Sequence, residues 1–340
     1  MTATPTLFAP LICTDRVDET SDAATFTFRA ANQTPFHYQA GQFITFEVDV
    51  ADEKLHRAYS LSSSPCDPEQ VAITVKRVPG GRVSNHLLDY LRPGHMLPGM
   101  APAGAFNARD CRRTDKVLLF SAGSGITPCI SIARWLLANE PQSDIQFVYS
   151  ARTAGAVIMA AELDQLAATR ANFTLHRVLS QPAREGDLQG RLDQALFDRL
   201  VPDVAGRCLF TCGPAAYMEA LAGFASARGL LPELFHQESF VPASANDAHG
   251  GSGVQFQLQA PRFGKAATVT DGQTLLEAME QVGLPVIGAC RSGVCGSCKC
   301  QVLAGEVESS SLATLSEAEV AAGYRLACSS TIRSDLVVEL

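Results

Sequence analysis

The sequence predicts a multidomain chain: an antiparallel β-barrel, then an α/β doubly wound parallel sheet, then a small α+β domain. Three observations carry this reading. Up to about Phe106, short β-rich runs are separated by turn residues and only one helix is signalled. From Lys116, apolar strands alternate with helices, the pattern of a parallel sheet with crossover connections. After Phe240 the small, polar, glycine-rich stretch VPASANDAHGGSG sets off a last segment rich in cysteine.

Composition bounds the function. The 340 residues suit two or three domains, and 46% hydrophobic with 18% charged residues describes a globular protein. There is no apolar run long enough to cross a bilayer, and the opening MTATPTLFAPLICTDR has no basic region before its short apolar stretch. A cytoplasmic location is therefore expected, with no membrane partner. The net charge of -8 argues against nucleic acid, because phosphate binding needs a basic surface. Eleven cysteines is an odd count, and four cluster near the carboxy terminus, so metal binding is the better reading than disulfides. Cys13, Cys66, Cys111, Cys129 and Cys208 stand singly and read as small hydrophobes.

In the barrel, expected over residues 1–112, the runs TFTFRA, GQFITFEVDV, AYSLSSS and VAITVKRV are broken by Gly80-Gly81 and Pro93-Gly94, with one helix from near Ser84 through NHLLDYL. In the α/β segment, residues 113–240, KVLLFSAG, DIQFVYSA, FTLHRVLS and RCLFTCG are the strands, and the last expected parallel strand ends at Cys212. Residues 241–253 are expected to be a flexible linker. Residues 254–340 then hold a strand pair (VQFQLQ, KAATVT), a helix (QTLLEAMEQVG), a cysteine loop and two strands (KCQVLAGEV, DLVVEL).

Cys290, Cys295 and Cys298 are spaced C-x4-C-x2-C, and the distant Cys328 completes the plant-type [2Fe-2S] pattern. The residues between them, Arg291, Ser292, Gly293, Val294, Gly296 and Ser297, are small or flexible enough for backbone NH groups to approach the sulfurs. A zinc site usually shows two C-x2-C pairs, and only one is present. Cys300 reads as a strand residue. The segment ACRSGVCGSCKC resembles the cluster loop of plant-type ferredoxins, which implies their β-grasp fold and assigns the four ligand roles to Cys290, Cys295, Cys298 and Cys328.

Arg57-Ala58-Tyr59-Ser60 resembles the R-x-Y-S motif of the ferredoxin-reductase family, which binds flavin on a barrel. The resemblance implies that Arg57 pairs with a flavin phosphate, Tyr59 stacks on the ring and Ser60 reaches the ring nitrogen that accepts hydride. Gly81-Arg82-Val83-Ser84 sits where that family places its pyrophosphate loop, with Ser84 capping the following helix. Val75 is counted among the flavin contacts. A diphosphate site favours FAD over FMN.

Gly123-Ser124-Gly125-Ile126-Thr127-Pro128 follows a strand and opens a helix, the context a dinucleotide loop requires. The third glycine of the common fingerprint is missing; Thr127 is expected to cap and Pro128 to start the helix, as in the family's G-x-G-x-T-P loop. Cys212-Gly213-Pro214 resembles the family's C-G-P motif against the nicotinamide, and Glu238 in HQESF falls where relatives approach the flavin. Ser60, Cys212 and Glu238 are thus the candidate catalytic residues. Ser150 and Arg152 follow a strand where the adenosine ribose is read. An Arg there suits a 2'-phosphate, yet similar family members with a Y-S-A-R stretch use NADH, so NADH is expected and NADPH is the alternative.

The whole chain resembles the reductase components of Rieske-type oxygenases, the group containing glycine betaine monooxygenase reductase, and also hybrid-cluster protein reductase. The implied function is a monomer that turns a two-electron donor into single-electron deliveries to a separate terminal oxygenase. A hybrid-cluster protein is the alternative acceptor, and a redox sensor is the reading from another class. Backbone hydrogen bonds and Arg291 are expected to make the cluster less negative than about -400 mV.

Overall fold

The computed structural model describes residues 8–181, 186–240, 254–291, 293, 295–312 and 314–340; the expected linker at 241–253 lies outside them. Contacts divide the chain into two compact units: one runs to Ser239, and the other takes Phe240 onward together with His56–Ala58.

Six strands build the barrel: β1 (Ala9–Thr20), β2 (Ala23–Ala30), β3 (Phe43–Val50), β4 (Glu53–Ser60), β5 (Val71–Lys76) and β6 (Met96–Gly99), in the order β4-β3-β6-β1-β2-β5. Alternation is clearest in β2, whose Phe26 and Phe28 are wholly buried against Phe46, Ile73 and Val75. The 12-residue β1 is not signalled in the sequence, because its exposed side carries Asp15, Arg16, Asp18 and Glu19 and it is bulged twice. The single barrel helix α1 (Arg82–Tyr90) starts two residues before Ser84, with Gly81 at its N-cap and no side-chain cap. Ser84 therefore does not cap it.

The second sheet is wholly parallel. Strands β7 (Lys116–Ala122), β8 (Asp144–Ala151), β9 (Phe173–Leu179), β10 (Leu188–Gln189), β11 (Cys208–Cys212) and β12 (Phe235–Glu238) lie in the order β10-β9-β8-β7-β11-β12. Helices α2 (Ile126–Asn139), α3 (Ala160–Thr169), α4 (Gln194–Leu200) and α5 (Ala215–Ala227) connect them. β11 is not the last parallel strand: β12 pairs outside it, with Cys212 level with Glu238. Its four residues, FHQE, are too short and too polar to show a strand period. Chain direction across the sheet reverses between β7 and β11, which creates a crevice at their carboxyl ends.

The second unit is a five-stranded sheet of β13 (Gln255–Ala260), β14 (Lys265–Thr270), β15 (Lys299–Ala304), β17 (Tyr324–Leu326) and β19 (Leu336–Glu339), in the order β14-β13-β19-β15-β17. A ribbon of β16 (Val307–Ser309) and β18 (Ser330–Ile332) accompanies it. The parallel pairing of β13 with β19 inside an otherwise antiparallel sheet, packed on helix α6 (Leu275–Gln281), is the β-grasp arrangement. Thr274 and Glu277 form a capping box that starts α6, and Ser316 with Glu319 does the same for α7 (Glu317–Ala321). Among the described residues no helix is long and apolar enough to cross a membrane.

Candidate cofactor sites

The crevice of the parallel sheet gathers most of the nominated residues. Gly123 has φ +56°, a left-handed backbone that favours glycine, and its carbonyl accepts from Tyr149 OH at 2.9 Å. Gly125 is glycine for a different reason: a Cβ there would lie 2.0 Å from the Cys212 carbonyl oxygen. The loop after β7 thus lies directly on the C-G-P turn after β11, so Gly123–Gly125 and Cys212–Gly213 form one surface. α2 begins at Ile126 with Gly125 at its N-cap and no side-chain cap, and Thr127 Oγ1 instead donates to Ser124 O at 3.1 Å, so the expected Thr127 cap and Pro128 start are each displaced by two residues. A 3-10 turn over Gly123–Gly125 runs directly into α2, and the Ile126 NH donates to the Gly123 and Ser124 carbonyls, so the glycine turn itself forms the approach to the helix.

Ser121, Cys212 and Glu238 stand level on three adjacent strands. From the barrel, Ser60 Oγ donates to Glu238 Oε2 at 2.7 Å. Enclosure of the Glu238 carboxyl group, offset in part by that hydrogen bond, pushes its pKa up to about 8. Cys212 has no exposed surface, and burial raises its thiol well above the ordinary range, with the charges of Glu238 and Cys129 adding to the effect. Cys129 is equally buried and carries the same two influences in order, burial and then Glu238. Sequence reasoning passed Cys129 over as packing; only the structure sets it beside Glu238.

The nucleotide crevice opens into a cavity of about 410 Å³ lined by Ser150, Arg152, Arg191, Pro214, Tyr217 and Phe224 among others; among the described residues the lining holds two guanidiniums and no carboxylate. Arg191 was not legible, because it lies in a loop with no strand or helix period around it.

On the flavin side, Tyr59 is half-buried on β4, its ring 6.5 Å from that of Phe46. Arg57 is exposed and its Nη1 donates to His56 O at 2.7 Å. At the start of α1, a Cβ on Gly81 would meet Ser84 Oγ at 2.6 Å, and Ser84 Oγ and Asn85 Oδ1 are buried without a hydrogen-bond partner among the described residues. A glycine-lined, uncapped helix start with two orphaned polar atoms fits a diphosphate. Arg82 turns away from it to pair with Glu53 at 2.7 Å. Val83 faces the barrel core, and Val75 is wholly enclosed there, so its side chain offers no surface to a flavin.

In the second unit the cysteine sulfurs converge. Cys290 interacts with Cys295 and with Cys328, and Cys298 with Cys328. Gly293 N donates to Cys328 Sγ at 3.1 Å and Cys328 N to Cys298 Sγ at 3.4 Å. Positive φ at Arg291, Gly293 and Gly296 wraps the loop around this point. Hydrogen bonding with Cys290 drives the Cys295 and Cys328 thiols far up, whereas Cys328 holds Cys298 below its ordinary value. Among the described residues no three metal-binding side chains converge on one ion position. Two sulfurs for each of two irons, the arrangement of a [2Fe-2S] cluster, needs no such triple, so the donor set fits. Cys300 is buried in β15, where burial lifts its thiol to about 12. Arg291 is ion-paired with Glu280, so its charge is balanced rather than directed solely at the cluster.

Family models agree with this division: an oxidoreductase FAD-binding domain matches residues 10–108, an oxidoreductase NAD-binding domain 119–222, and a 2Fe-2S iron-sulfur cluster binding domain 261–333. The glycine betaine monooxygenase reductase subunit of Pseudomonas aeruginosa is 36% identical over 344 residues, covering 96% of this chain and 94% of that protein. NADH oxidoreductase HCR of Escherichia coli is 38% identical over 320 residues, covering 94% of each. Phthalate dioxygenase reductase, described as a modular structure for electron transfer from pyridine nucleotides to [2Fe-2S], superposes with a TM-score of 0.65 over 98% of both chains at 24% identity. The chain therefore belongs to the family of oxidoreductases, reductase components of multicomponent oxygenases among them, that join an FAD-binding, an NAD-binding and a [2Fe-2S] domain in one polypeptide.

Proposed function

We propose that this protein is a cytoplasmic, monomeric reductase that passes electrons from NADH through FAD and its [2Fe-2S] cluster to a separate Rieske-type oxygenase. The reading rests above all on the hydrogen bond from Ser60 of the barrel to Glu238 of the nucleotide sheet, with Cys212 level with Glu238 on the next strand. The same reading takes 1–112 as the flavin domain, 113–240 as the nucleotide domain and 254–340 as the cluster domain. FAD and the cluster supply the conversion between a two-electron donor and a one-electron acceptor.

The chain's own residues do the rest. The start of α1, with Gly81, Ser84 and Asn85, receives the flavin diphosphate, and Arg57 and Tyr59 hold the phosphate and the ring. Gly123–Gly125 and the first turn of α2 receive the nicotinamide diphosphate; the cavity of Ser150, Arg152 and Arg191 receives the adenosine end. With a pKa near 8, Glu238 is mainly protonated at neutral pH; it accepts from Ser60 on Oε2 and carries its proton on the other oxygen. The pair holds one proton beside the flavin and keeps the Ser60 hydroxyl in one orientation. Cys290, Cys295, Cys298 and Cys328 would hold the cluster.

Anaerobic NADH titration followed by electron paramagnetic resonance tests the electron path: a plant-type [2Fe-2S] signal that grows with NADH is expected. A colourless or zinc-loaded protein overturns it. Coupled turnover with candidate Rieske oxygenases tests the partner. Turnover only with a hybrid-cluster protein would instead favour the second reading, which the 38% identity to NADH oxidoreductase HCR supports.

A further inference from the structure

We propose that Ser131 and Arg134 are positioning residues for electron transfer from nicotinamide to flavin, because they tie the helix that starts at the nucleotide loop to the backbone immediately after Ser60. The proposal rests on the assignment of Ser60 to the flavin and of Gly123–Gly125 to the nicotinamide.

Ser131 Oγ donates to Ser63 O at 2.6 Å, and Arg134 Nη1 donates to Ser62 O. The two donors are three residues apart on α2, so they share one face of it. Glu162, in the first turn of α3, clamps the Arg134 guanidinium from the other side, with Nε to Oε1 at 2.7 Å. Ser62 and Ser131 have no exposed surface, while Ser63 and Arg134 are partly exposed.

Neither end of the tie is loose. On the barrel side, Leu61 N donates to Gln42 O and Ser62 N to Ala72 O, each at 2.8 Å. Ser63 Oγ accepts from Ala72 N at 2.9 Å and meets Tyr38 OH at 2.8 Å. On the nucleotide side, Ser131 is six residues beyond Gly125, or about 9 Å of helix at 1.5 Å per residue. Two stiff parts, the 61–63 segment and a helix of less than two turns, thus connect Ser60 to the nucleotide loop. A second strut runs parallel: Glu19 of β1 accepts from Met159 N at 3.1 Å, just before α3 begins.

A purely stabilising contact would change the melting temperature and leave the chemistry alone. A positioning contact changes the rate at saturating NADH, since a displacement of about 1 Å can cost about 100-fold without weakening binding. The experiment compares the FAD-loaded full chain with Ser131→Ala, Arg134→Met, Arg134→Lys and Arg207→Met by anaerobic stopped-flow reduction with NADH. Arg207, paired with Asp203 and Asp144 at the opposite end of the sheet, is the stability comparator.

Expected are a 10- to 100-fold slower flavin reduction in Ser131→Ala and Arg134→Met, with half-saturation by NADH within about twofold, and most of the rate recovered in Arg134→Lys. The nicotinamide–flavin charge-transfer absorbance should weaken in the same two variants. Hydrogen exchange on the flavin-free protein should show faster exchange at residues 61–64 in them and not in Arg207→Met. Wild-type rates and absorbance in Ser131→Ala and Arg134→Met, or an equal loss in Arg207→Met, would overturn the positioning role alone. A wild-type protein that NADH does not reduce would overturn the site assignment on which it stands.

Discussion

Ser60 and Glu238 are 178 residues apart in sequence and joined by a 2.7 Å hydrogen bond. Neither is unusual in isolation: one is a serine at the end of a barrel strand, the other a glutamate in a short edge strand. Together they bring a hydroxyl and a half-buried carboxyl group to the carboxyl ends of β11 and β12, where the sheet opens.

That pair has a pH signature. Glu238 is held near pKa 8 in the folded protein against an ordinary 4.5, so the folded state binds the proton more tightly than the unfolded chain does. Stability from this group is greatest below about pH 4.5, falls as pH rises, and levels off above about 8, with a limiting slope of about 1.4 kcal/mol per pH unit. Glu238→Gln should flatten that slope between pH 5 and 8, read from thermal melts. Asp203, held near 2 by Arg207 and Lys116, acts in the opposite sense at the acid end and should remain unchanged in the variant.

Loss of the same proton should also slow the reaction. Reduction of the flavin by NADH should decline above about pH 8 in the wild type. In Ser60→Ala and Glu238→Gln it should be slower by about 100-fold at pH 7, measured by stopped-flow absorbance. Rates within twofold of wild type in both variants would remove the pair from the chemistry.

Serine at Cys290, Cys295, Cys298 or Cys328 should abolish the plant-type paramagnetic signal while flavin absorbance persists, since the ligands lie in a separate compact unit. Cys300→Ala should keep the signal, because that thiol is packed within β15. A signal surviving in Cys328→Ser with loss in Cys300→Ala would reassign the fourth ligand.

The adenosine cavity predicts weak discrimination between the two nicotinamide donors. NAD-specific sites of this architecture usually carry an acidic side chain toward the ribose, and among the described residues none lines this cavity, which holds Arg152 and Arg191 instead. NADPH should therefore be used with kcat/KM within about tenfold of NADH, a difference of about 1.4 kcal/mol. Arg152→Ala and Arg191→Ala should each raise KM for NADPH more than for NADH. A preference for NADH above 1000-fold would mean that some other feature rejects the 2'-phosphate.

Gly125→Ala should fail differently from Gly123→Ala. The first forces a methyl group into the Cys212 carbonyl and must separate the two loops, with an overpacking cost of about 1–3 kcal/mol and loss of nicotinamide binding. The second has open space and incurs only left-handed backbone strain of about 1–2 kcal/mol. Melting temperature together with titration by a non-reducible NADH analogue separates the two.

The cysteine loop was the most legible part of the sequence, because ligand spacing is written in a contiguous stretch and needs no tertiary information. The strand-loop-helix at 116–139 was legible for the same reason, although the cap was not: Thr127 bonds within its own turn rather than closing the helix. Elements shaped by tertiary context were missed. β1 hides its inward alternation behind charged outward residues and bulges, and β12 is four residues long and gains strand identity only from β11. Arg191 and Cys129 acquire their surroundings from segments distant in sequence, which no local pattern records.

The late position of β12 bears on how the protein is made. Until Glu238 has left the ribosome and joined the outer side of the nucleotide sheet, Ser60 has no acidic counterpart, however completely the barrel has already formed. A nascent chain can thus shape a flavin cradle long before it has a finished reaction centre, and truncation anywhere ahead of that short strand should leave a coloured but kinetically crippled product.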